Sequence, residues 1–405
     1  MKACDKVKFY HQEQLLKFED ELSESEKADL YAQIERLDFD VIKTIENRTS
    51  PVKRGRITPL DAMDLSRIKE REDEFRKAGL DALRAGKVGA VLLAGGMGTR
   101  LGSNDPKGMY NIGVNRELYI FECLINNLMD VVKEAGAYVP LYVMTSDLNY
   151  ESTVEFFAEK KYFGYPKEYI SFFCQEMAPC TDYNGKVLLE RKDKVSVSPN
   201  GNGGWFLSMM RSGVLNKAKK NGVEWLNIFA VDNVLQRIAD PVFIGATILE
   251  KKTVGAKVVR KASPDERVGV MCLEDGHPSI VEYYELTDEM RDEVDSRGER
   301  VYNFGVILNY LFEVAELEKI VRLSLPYHVV EKKIPYVDEN GEEVKPDKPN
   351  GCKFEQLVLD MIYLASGCLP FEVIREKEFA PIKNKTGVDS VESARELLKK
   401  NGVTL

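Results

Sequence analysis

The chain has 405 residues, 44% of them hydrophobic and 30% charged, with a formal net charge of −9. That length supports a large buried core and two or three domains at about 150 residues each. The acidic balance argues against a nucleic-acid partner, because nucleic-acid-binding domains carry a basic stripe, but it leaves room for a local cationic pocket that takes a small anion.

The N-terminus, MKACDKVKFYHQEQ, is charged from its first residues, so no secretory signal is expected. No apolar run approaches the roughly 20 residues that span a bilayer. The seven cysteines (Cys4, Cys123, Cys174, Cys180, Cys272, Cys352 and Cys368) are scattered without a CxxC pair. Neither a disulfide framework nor a zinc cluster is expected. The three histidines, His11, His277 and His328, lie far apart and give a histidine metal site no support. The expectation is a cytoplasmic protein without a membrane partner.

The first stretch, to about Gly86, reads as helical: LSESEKADLYAQIERLDFDVI has apolar residues at three- and four-residue spacing, followed by ITPLDAMDL and a charged run to Lys77. It fits a packed amphipathic arm better than a catalytic module, with a loop at NRTSPVKRGRITP, from Asn47 to Pro59. From Val88 the texture changes. VGAVLLA is a short continuous apolar run, as for a strand covered on both faces of a parallel sheet. Further strands are expected at Tyr138 to Ser146, Tyr169 to Gln175, Trp225 to Asn233, Gly255 to Lys261, Val268 to Glu274 and Val301 to Asn309. Helical stretches such as FECLINNLMDVVKEAG and FLSMMRSGVLNKAKKNG separate several of them, and the alternation points to a doubly wound α/β sheet. After about Pro326, KKIPYVDENGEEVKPDKPNG suggests a hairpin or extended arm, FEQLVLDMIYLASG a helix, FEVIRE a strand and VESARELLKKNG a closing helix. Three consecutive domains are expected: 1–87 helical, 88–325 catalytic and 326–405 C-terminal.

The chemistry concentrates in VLLAGGMGTRLGSNDPKG, from Val91 to Gly108. A strand that ends in Gly95-Gly96 and turns sharply leaves backbone N–H groups facing outward, where a side chain would block an anion. A helix following the turn would add favourable potential at its N-terminus. A P-loop needs a Gly-Lys-Ser/Thr ending that is absent here, and the dinucleotide fingerprint loses its third glycine to Leu101. The arrangement that fits is a nucleotidyltransferase signature, Gly95-Gly96-Met97-Gly98-Thr99-Arg100-Leu101-Gly102 followed by Pro106-Lys107. Backbone amides would hold the nucleotide while Arg100 and Lys107 offset phosphate charge.

Beyond this loop, ESTVEFF, KYFGY, the GNGG block of KVSVSPNGNGG, VDNVLQRIADPVFIG, GAKVV, VEYYEL, KKIPYVDENGEEVKPDKPNG and EFAPIKN keep their order along the chain. With the loop, they make the sequence resemble the eukaryotic-type UDP-N-acetylhexosamine pyrophosphorylases over most of its length after about Ala90. The resemblance implies a Rossmann-like, GT-A-like central α/β domain with a mixed, mostly parallel sheet, plus helical N-terminal and small α+β C-terminal parts. It implies a uridylyltransferase that converts UTP and a sugar 1-phosphate into a UDP-sugar and pyrophosphate with Mg²⁺, most simply with N-acetylglucosamine 1-phosphate.

The resemblance also assigns roles. Leu93, Ala94, Gly95 and Gly96 would contact the uridine nucleotide through backbone atoms. Gln175 and Gly201 would hold the uracil, and Arg100, Lys107 and Lys383 would act on the phosphates. Asn202, Gly269, Glu282 and Tyr283 would face the sugar, and Asp232 the magnesium. The chain departs from the family pattern where an asparagine commonly contacts the sugar, since it has Val306 there, and where two phenylalanines often line the sugar pocket, since it has Leu357 and Leu359. Glucose, galactose or N-acetylgalactosamine 1-phosphate therefore stand as alternative acceptors, and a non-catalytic UDP-sugar sensor as an alternative function. Direct attack by a phosphate oxygen on the α-phosphorus needs no histidine base, which agrees with the scarcity of histidine.

Overall fold

The computed structural model describes residues 1–47, 54–323 and 325–405. Residues 48–53, within the loop expected between Asn47 and Pro59, lie outside the described residues. Contacts divide the chain into two units, one of residues 1–53, 176–204 and 325–358, the other of residues 54–175, 205–324 and 359–405. The units interleave in sequence, whereas the reading above expected consecutive segments. The reason is that the central segment 176–204 and the Pro- and Gly-rich arm from 325 pack with the N-terminal helices rather than with their sequence neighbours.

The larger unit is built on a ten-stranded mixed sheet. Its strands are β1 (Ile57–Pro59), β2 (Val88–Leu93), β3 (Leu141–Thr145), β4 (Ile170–Cys174), β5 (Trp225–Ala230), β6 (Val254–Arg260), β7 (Val270–Glu274), β8 (His277–Val281), β9 (Phe304–Glu313) and β10 (Cys368–Glu372). The central run β5-β2-β3-β4 is parallel. β9 joins it antiparallel at β5, carries β6 along its opposite edge, and pairs with β7 at Gly305. β2 and β3 are buried at every residue, which accounts for their uninterrupted apolar runs. Along the chain β2, β3 and β4 step outward one way, while β5 adds on the other side of β2. The order thus reverses between β2 and β5, where open α/β sheets leave a crevice at the carboxyl ends of their strands.

Four helices bear on the argument: α1 (Glu72–Arg84), α2 (Ile120–Ala135), α3 (Pro241–Leu249) and α4 (Val391–Lys400). α2 buries Phe121, Leu124, Leu128 and Val131 and ends at Gly136, whose φ of 69° closes the helix in the left-handed region. α1 and α3 cross at glycines. A Cβ on Gly79 would lie 1.8 Å from the Pro241 carbonyl oxygen, and one on Gly245 would lie 1.8 Å from that of Phe75.

Several expectations about elements change. Ile57–Pro59, at the end of the loop expected from Asn47 to Pro59, is an edge strand paired with β7, because two β-branched residues and a proline suit a sheet edge and the partner strand overrides local pattern. FLSMMRSGVLNKAKKNG forms two helices, Trp205–Arg211 and Val214–Lys220, broken at Gly213 with φ 78°. Phe354 and Glu355 belong to the strand Gly351–Glu355, and the helix begins only at Val358.

In the smaller unit, the helix Glu24–Arg36 opens with a capping box between Ser23 and Glu26. Its Leu30 and Ile34 pack with Ala3, Val7, Leu15, Phe18, Val187, Leu189 and Val195. Short antiparallel pairs complete it, among them Tyr336–Val337 with Glu343–Val344, the hairpin expected from VDENGEEV. No helix among the described residues is long and apolar enough to cross a membrane.

Candidate active site

The carboxyl ends of the four parallel strands bring several of the candidate residues of the larger unit together. β2 runs out into Ala94 and the glycine loop, β3 into Ser146, β4 into Gln175 and β5 into Asp232. The loop closes on itself: the amide of Gly98 donates to the Asp105 carbonyl at 2.8 Å, and that of Lys107 to Gly96 at 3.1 Å. Leu101 is buried as its inner anchor, and Gly102 turns the chain with φ 78°. A single 3₁₀ turn, Thr99–Leu101, follows the glycines rather than a helix. Helix potential is therefore absent, and backbone amides and cations are left to receive an anion.

The two leading glycines have different reasons. A Cβ on Gly95 would stand 2.9 Å from Gln175 Oε1, so glycine is what lets the amide side chain approach the loop. Nothing lies within 4 Å of a Cβ placed on Gly96, which faces open space. Asn149, which sequence reading missed, secures this corner. Its Nδ2 donates to the Ala94 carbonyl at 3.0 Å, and its Oδ1 accepts from the Ser146 amide at 2.7 Å. Asn149 stands just before the helix Tyr150–Glu159, where it reads as a cap, yet it makes no side-chain cap bond.

Lys107, half-buried, donates from Nζ to the Ile382 carbonyl at 3.2 Å. Burial pushes its ammonium below the ordinary lysine value; Asp232 opposes the shift, while Arg100 and Lys383 add to it. Asp232, Arg100 and Lys383 thus all act on Lys107. The segment carrying Lys383 is stitched to the end of β5: the Ile382 amide donates to the Asp232 carbonyl at 2.9 Å, and Asn233 accepts from the Ala380 amide at 2.9 Å and donates to the Glu378 carbonyl at 2.7 Å. Asn233 is a second residue that sequence reading missed. Lys383 itself pairs with Asp389 at 2.9 Å.

Gly269, Glu282 and Val306 form a separate cluster. A Cβ on Gly269 would lie 3.6 Å from both Glu282 Oε2 and Val306 Cγ2. Burial raises the Glu282 carboxyl above the usual range and Glu285 adds to the rise, while Arg54 and Lys383 oppose it. Lys383 therefore acts electrostatically on both Lys107 and Glu282, which links the two clusters. Tyr283 is exposed, its ring edge-on to that of Tyr284.

Gly201 and Asn202 belong to the smaller unit. Gly201 has φ 84°, and a Cβ there would meet the Gln356 carbonyl oxygen at 2.3 Å. Asn202 Oδ1 accepts from the Val358 amide at 2.9 Å, a tie that shapes the GNGG turn.

Among the described residues no group of three His, Cys, Asp or Glu side chains could hold a metal by itself. Asp232 is the carboxylate that acts on Lys107, while Asp389 is tied to Lys383. That donor set suits a hard divalent ion held by one carboxylate together with substrate phosphates and water, the usual mode for Mg²⁺.

A glycine loop at the strand-order reversal, two lysines, an arginine and one strand-end carboxylate thus lie at the carboxyl ends of the parallel strands. Residues 36–404 match the family described as UTP–glucose-1-phosphate uridylyltransferase. The chain belongs to that family. Among relatives of this uridylyltransferase, the Homo sapiens UDP-N-acetylhexosamine pyrophosphorylase-like protein 1 is 38% identical over 412 residues, covering 96% of this chain and 81% of the relative. The Arabidopsis thaliana UDP-N-acetylglucosamine diphosphorylase 2 is 36% identical over 422 residues, 97% of this chain and 82% of the relative. The crystal structure of the Trypanosoma brucei uridine diphosphate N-acetylglucosamine pyrophosphorylase in complex with inhibitor superposes with a TM-score of 0.84 at 28% identity, covering 97% of this chain and 83% of that one. Nucleotidyl transfer in this family generally uses a divalent metal. The match bears out the expected α/β nucleotidyltransferase fold and the uridylyltransferase reading.

Proposed function

We propose that the protein transfers the uridylyl group of UTP to N-acetylglucosamine 1-phosphate, releasing pyrophosphate and forming the UDP-sugar, with Mg²⁺ and in the cytoplasm. The observation that carries this reading is the tie of Lys107 to Gly96 of the loop and, through Ile382, to Asp232, within electrostatic reach of Arg100 and Lys383. The relatives named above supply the sugar.

The chemistry follows from charge. The attacking oxygen of a sugar phosphate is already an anion near neutral pH, so the reaction needs no base. Its difficulty is that two polyanions must meet. Backbone amides of residues 94–98 would bind the nucleotide, with Gln175 beside Gly95 placed to read the uracil edge. Lys107, tethered to Ile382, would meet the phosphates with a fixed ammonium, so that little reorganisation is needed as charge develops. Arg100 and Lys383 would share the remaining charge, and Asp232 would hold the metal, which would supply further stabilisation of phosphate charge. On the other cluster, Glu282 would accept from a sugar hydroxyl while Gly269 leaves room for the ring.

Val306 favours a second reading of the acceptor. It stands beside Glu282 with no hydrogen-bonding group, so recognition of an N-acetyl substituent would rest on apolar contact, and glucose 1-phosphate would be rejected only modestly. A pyrophosphate-release assay with UTP and a panel of sugar 1-phosphates tests both readings. N-acetylglucosamine 1-phosphate is expected to give the highest kcat/KM. A higher value with another sugar would replace the acceptor, and no release with any sugar would leave a UDP-sugar-binding protein without turnover.

A further inference from the structure

The hairpin of β7 and β8, which leads directly into Glu282, is fastened by one guanidinium from outside it. Arg54 grips Glu285 with a fork, Nε to Oε1 at 3.1 Å and Nη2 to Oε2 at 2.7 Å. The same group donates to Glu274 at 2.9 Å, to Ser279 Oγ at 3.3 Å and to the Ile280 carbonyl at 3.2 Å. Glu274 in turn accepts from Ser279 Oγ at 2.8 Å and from the Gly55 amide at 2.8 Å. Both carboxylates are largely buried, with side-chain exposures of 9% for Glu274 and 21% for Glu285.

The oxygen that matters is Glu285 Oε2. It accepts from Arg54 Nη2 and also from the backbone amide of Glu282, at 2.9 Å. The Glu285 amide returns a bond to the Glu282 carbonyl at 2.8 Å. The backbone of Glu282 is therefore held through a carboxylate whose own position is set by a bidentate arginine. Such a fork fixes orientation as well as distance, which a lysine point charge does not.

We propose that Arg54 is a positioning residue for the sugar phosphate: through Glu285 it fixes the backbone of Glu282 beside Gly269 and Val306, and so sets recognition of the sugar while leaving the nucleotide loop unaffected. This rests on the uridylyltransferase reading, in which Glu282 faces the sugar. The nucleotide loop lies on β2, and its closing bonds involve neither Arg54 nor the hairpin. Sugar and nucleotide binding should therefore respond differently to the loss of the fork.

The test is steady-state kinetics of Arg54→Lys, Glu285→Gln, Glu282→Gln and the Arg54→Lys/Glu282→Gln double variant, with UTP and the sugar 1-phosphate varied separately. Arg54→Lys should raise the KM for the sugar phosphate roughly tenfold, the effect of one lost charge-assisted hydrogen bond, with the KM for UTP changed less than about twofold. On the Glu282→Gln background the same substitution should add nothing, because the carboxylate that the positioned backbone presents to the sugar is gone. Glu285→Gln, which keeps the shape and loses the ionic fork, should reproduce the split if Arg54→Lys folds poorly. Equal rises in both KM values, or an undiminished effect of Arg54→Lys in the double variant, would show a purely structural tie and overturn the proposal. If the wild-type protein releases no pyrophosphate with any sugar, the uridylyltransferase reading fails instead. Calorimetric binding of UDP-N-acetylglucosamine and of UTP then reads the same split, tenfold weaker for the first and unchanged for the second; equal weakening would again overturn the role of Arg54.

Discussion

Lys107 and Asp232 meet at a single residue of a distant segment: the Lys107 ammonium donates to the carbonyl of Ile382 at 3.2 Å, and the amide of Ile382 donates to the carbonyl of Asp232 at 2.9 Å. The glycine loop after β2 and the carboxylate after β5 are therefore held in one frame, with Lys383 next in line. Loss of the Lys107 ammonium removes one preorganised donor. Lys107→Ala should lower kcat by roughly 10²–10³ with the fold retained, measured by pyrophosphate release alongside circular dichroism. Near-normal turnover of the folded variant would reject the role.

Because burial lowers the Lys107 pKa, the lysine loses its proton below the ordinary value of 10.5. The cation is the binding form, so kcat/KM for UTP, which reports the free enzyme, should fall on an alkaline limb that begins below 10.5. Lys107→Arg should move that limb upward, since a guanidinium stays charged. For stability the sign is opposite: a depressed lysine costs stability at neutral pH, and the cost is relieved as pH rises through the folded value. A limb unmoved in Lys107→Arg would assign it to another group.

Asp232→Asn keeps the shape at the end of β5 but weakens a hard-cation ligand. The magnesium concentration for half-maximal rate should rise, and Ile382 should keep its bond to the backbone carbonyl, so the protein should unfold near the wild-type temperature. An unchanged magnesium dependence would remove Asp232 from the metal site.

Lys257 is wholly buried on β6 and donates to Asp240 at 3.0 Å and to Glu378 at 2.6 Å. Glu378 begins the segment that leads to Lys383, so this buried triad anchors the site from beneath. Lys257→Ala should cost about 3–5 kcal/mol, because it removes the cation that Glu378 pairs with and one of the two that Asp240 shares with Arg237, as read from urea denaturation. A loss of less than about 1 kcal/mol would mean that water or another cation takes its place.

Gly79→Ala should also destabilise, against its helix propensity. Alanine in a helix interior is ordinarily better than glycine by about 1 kcal/mol, but here its Cβ would sit 1.8 Å from the Pro241 carbonyl oxygen. Parting α1 from α3 should cost about 1–3 kcal/mol, and a raised melting temperature would contradict the close crossing.

The site was legible in the sequence where its chemistry is local. Gly95, Gly96, Arg100 and Lys107 stand within one loop, so spacing exposes them, whereas Asp232, at the end of an apolar strand, entered through the family resemblance. Asn149, Asn233 and Arg54 were not legible, because each acts through a partner far along the chain: Asn149 on Ala94, Asn233 on Ala380, Arg54 on Glu285. Nothing near them in sequence names that partner. The parallel strands were readable from their buried runs, but the three-residue strand β1 was not. Its identity comes from pairing with β7, more than 200 positions away. The two interleaved units escape sequence reading for the same reason.

The most direct test of uridylyl transfer at this loop uses UTP chiral at the α-phosphorus by thio substitution, with N-acetylglucosamine 1-phosphate as acceptor, and determines the configuration of the UDP-sugar formed. A single direct displacement, driven by positioned cations with no protein nucleophile, gives inversion at phosphorus. Retention, which requires a covalent uridylyl–enzyme intermediate, or the absence of any labelled UDP-sugar, would contradict it.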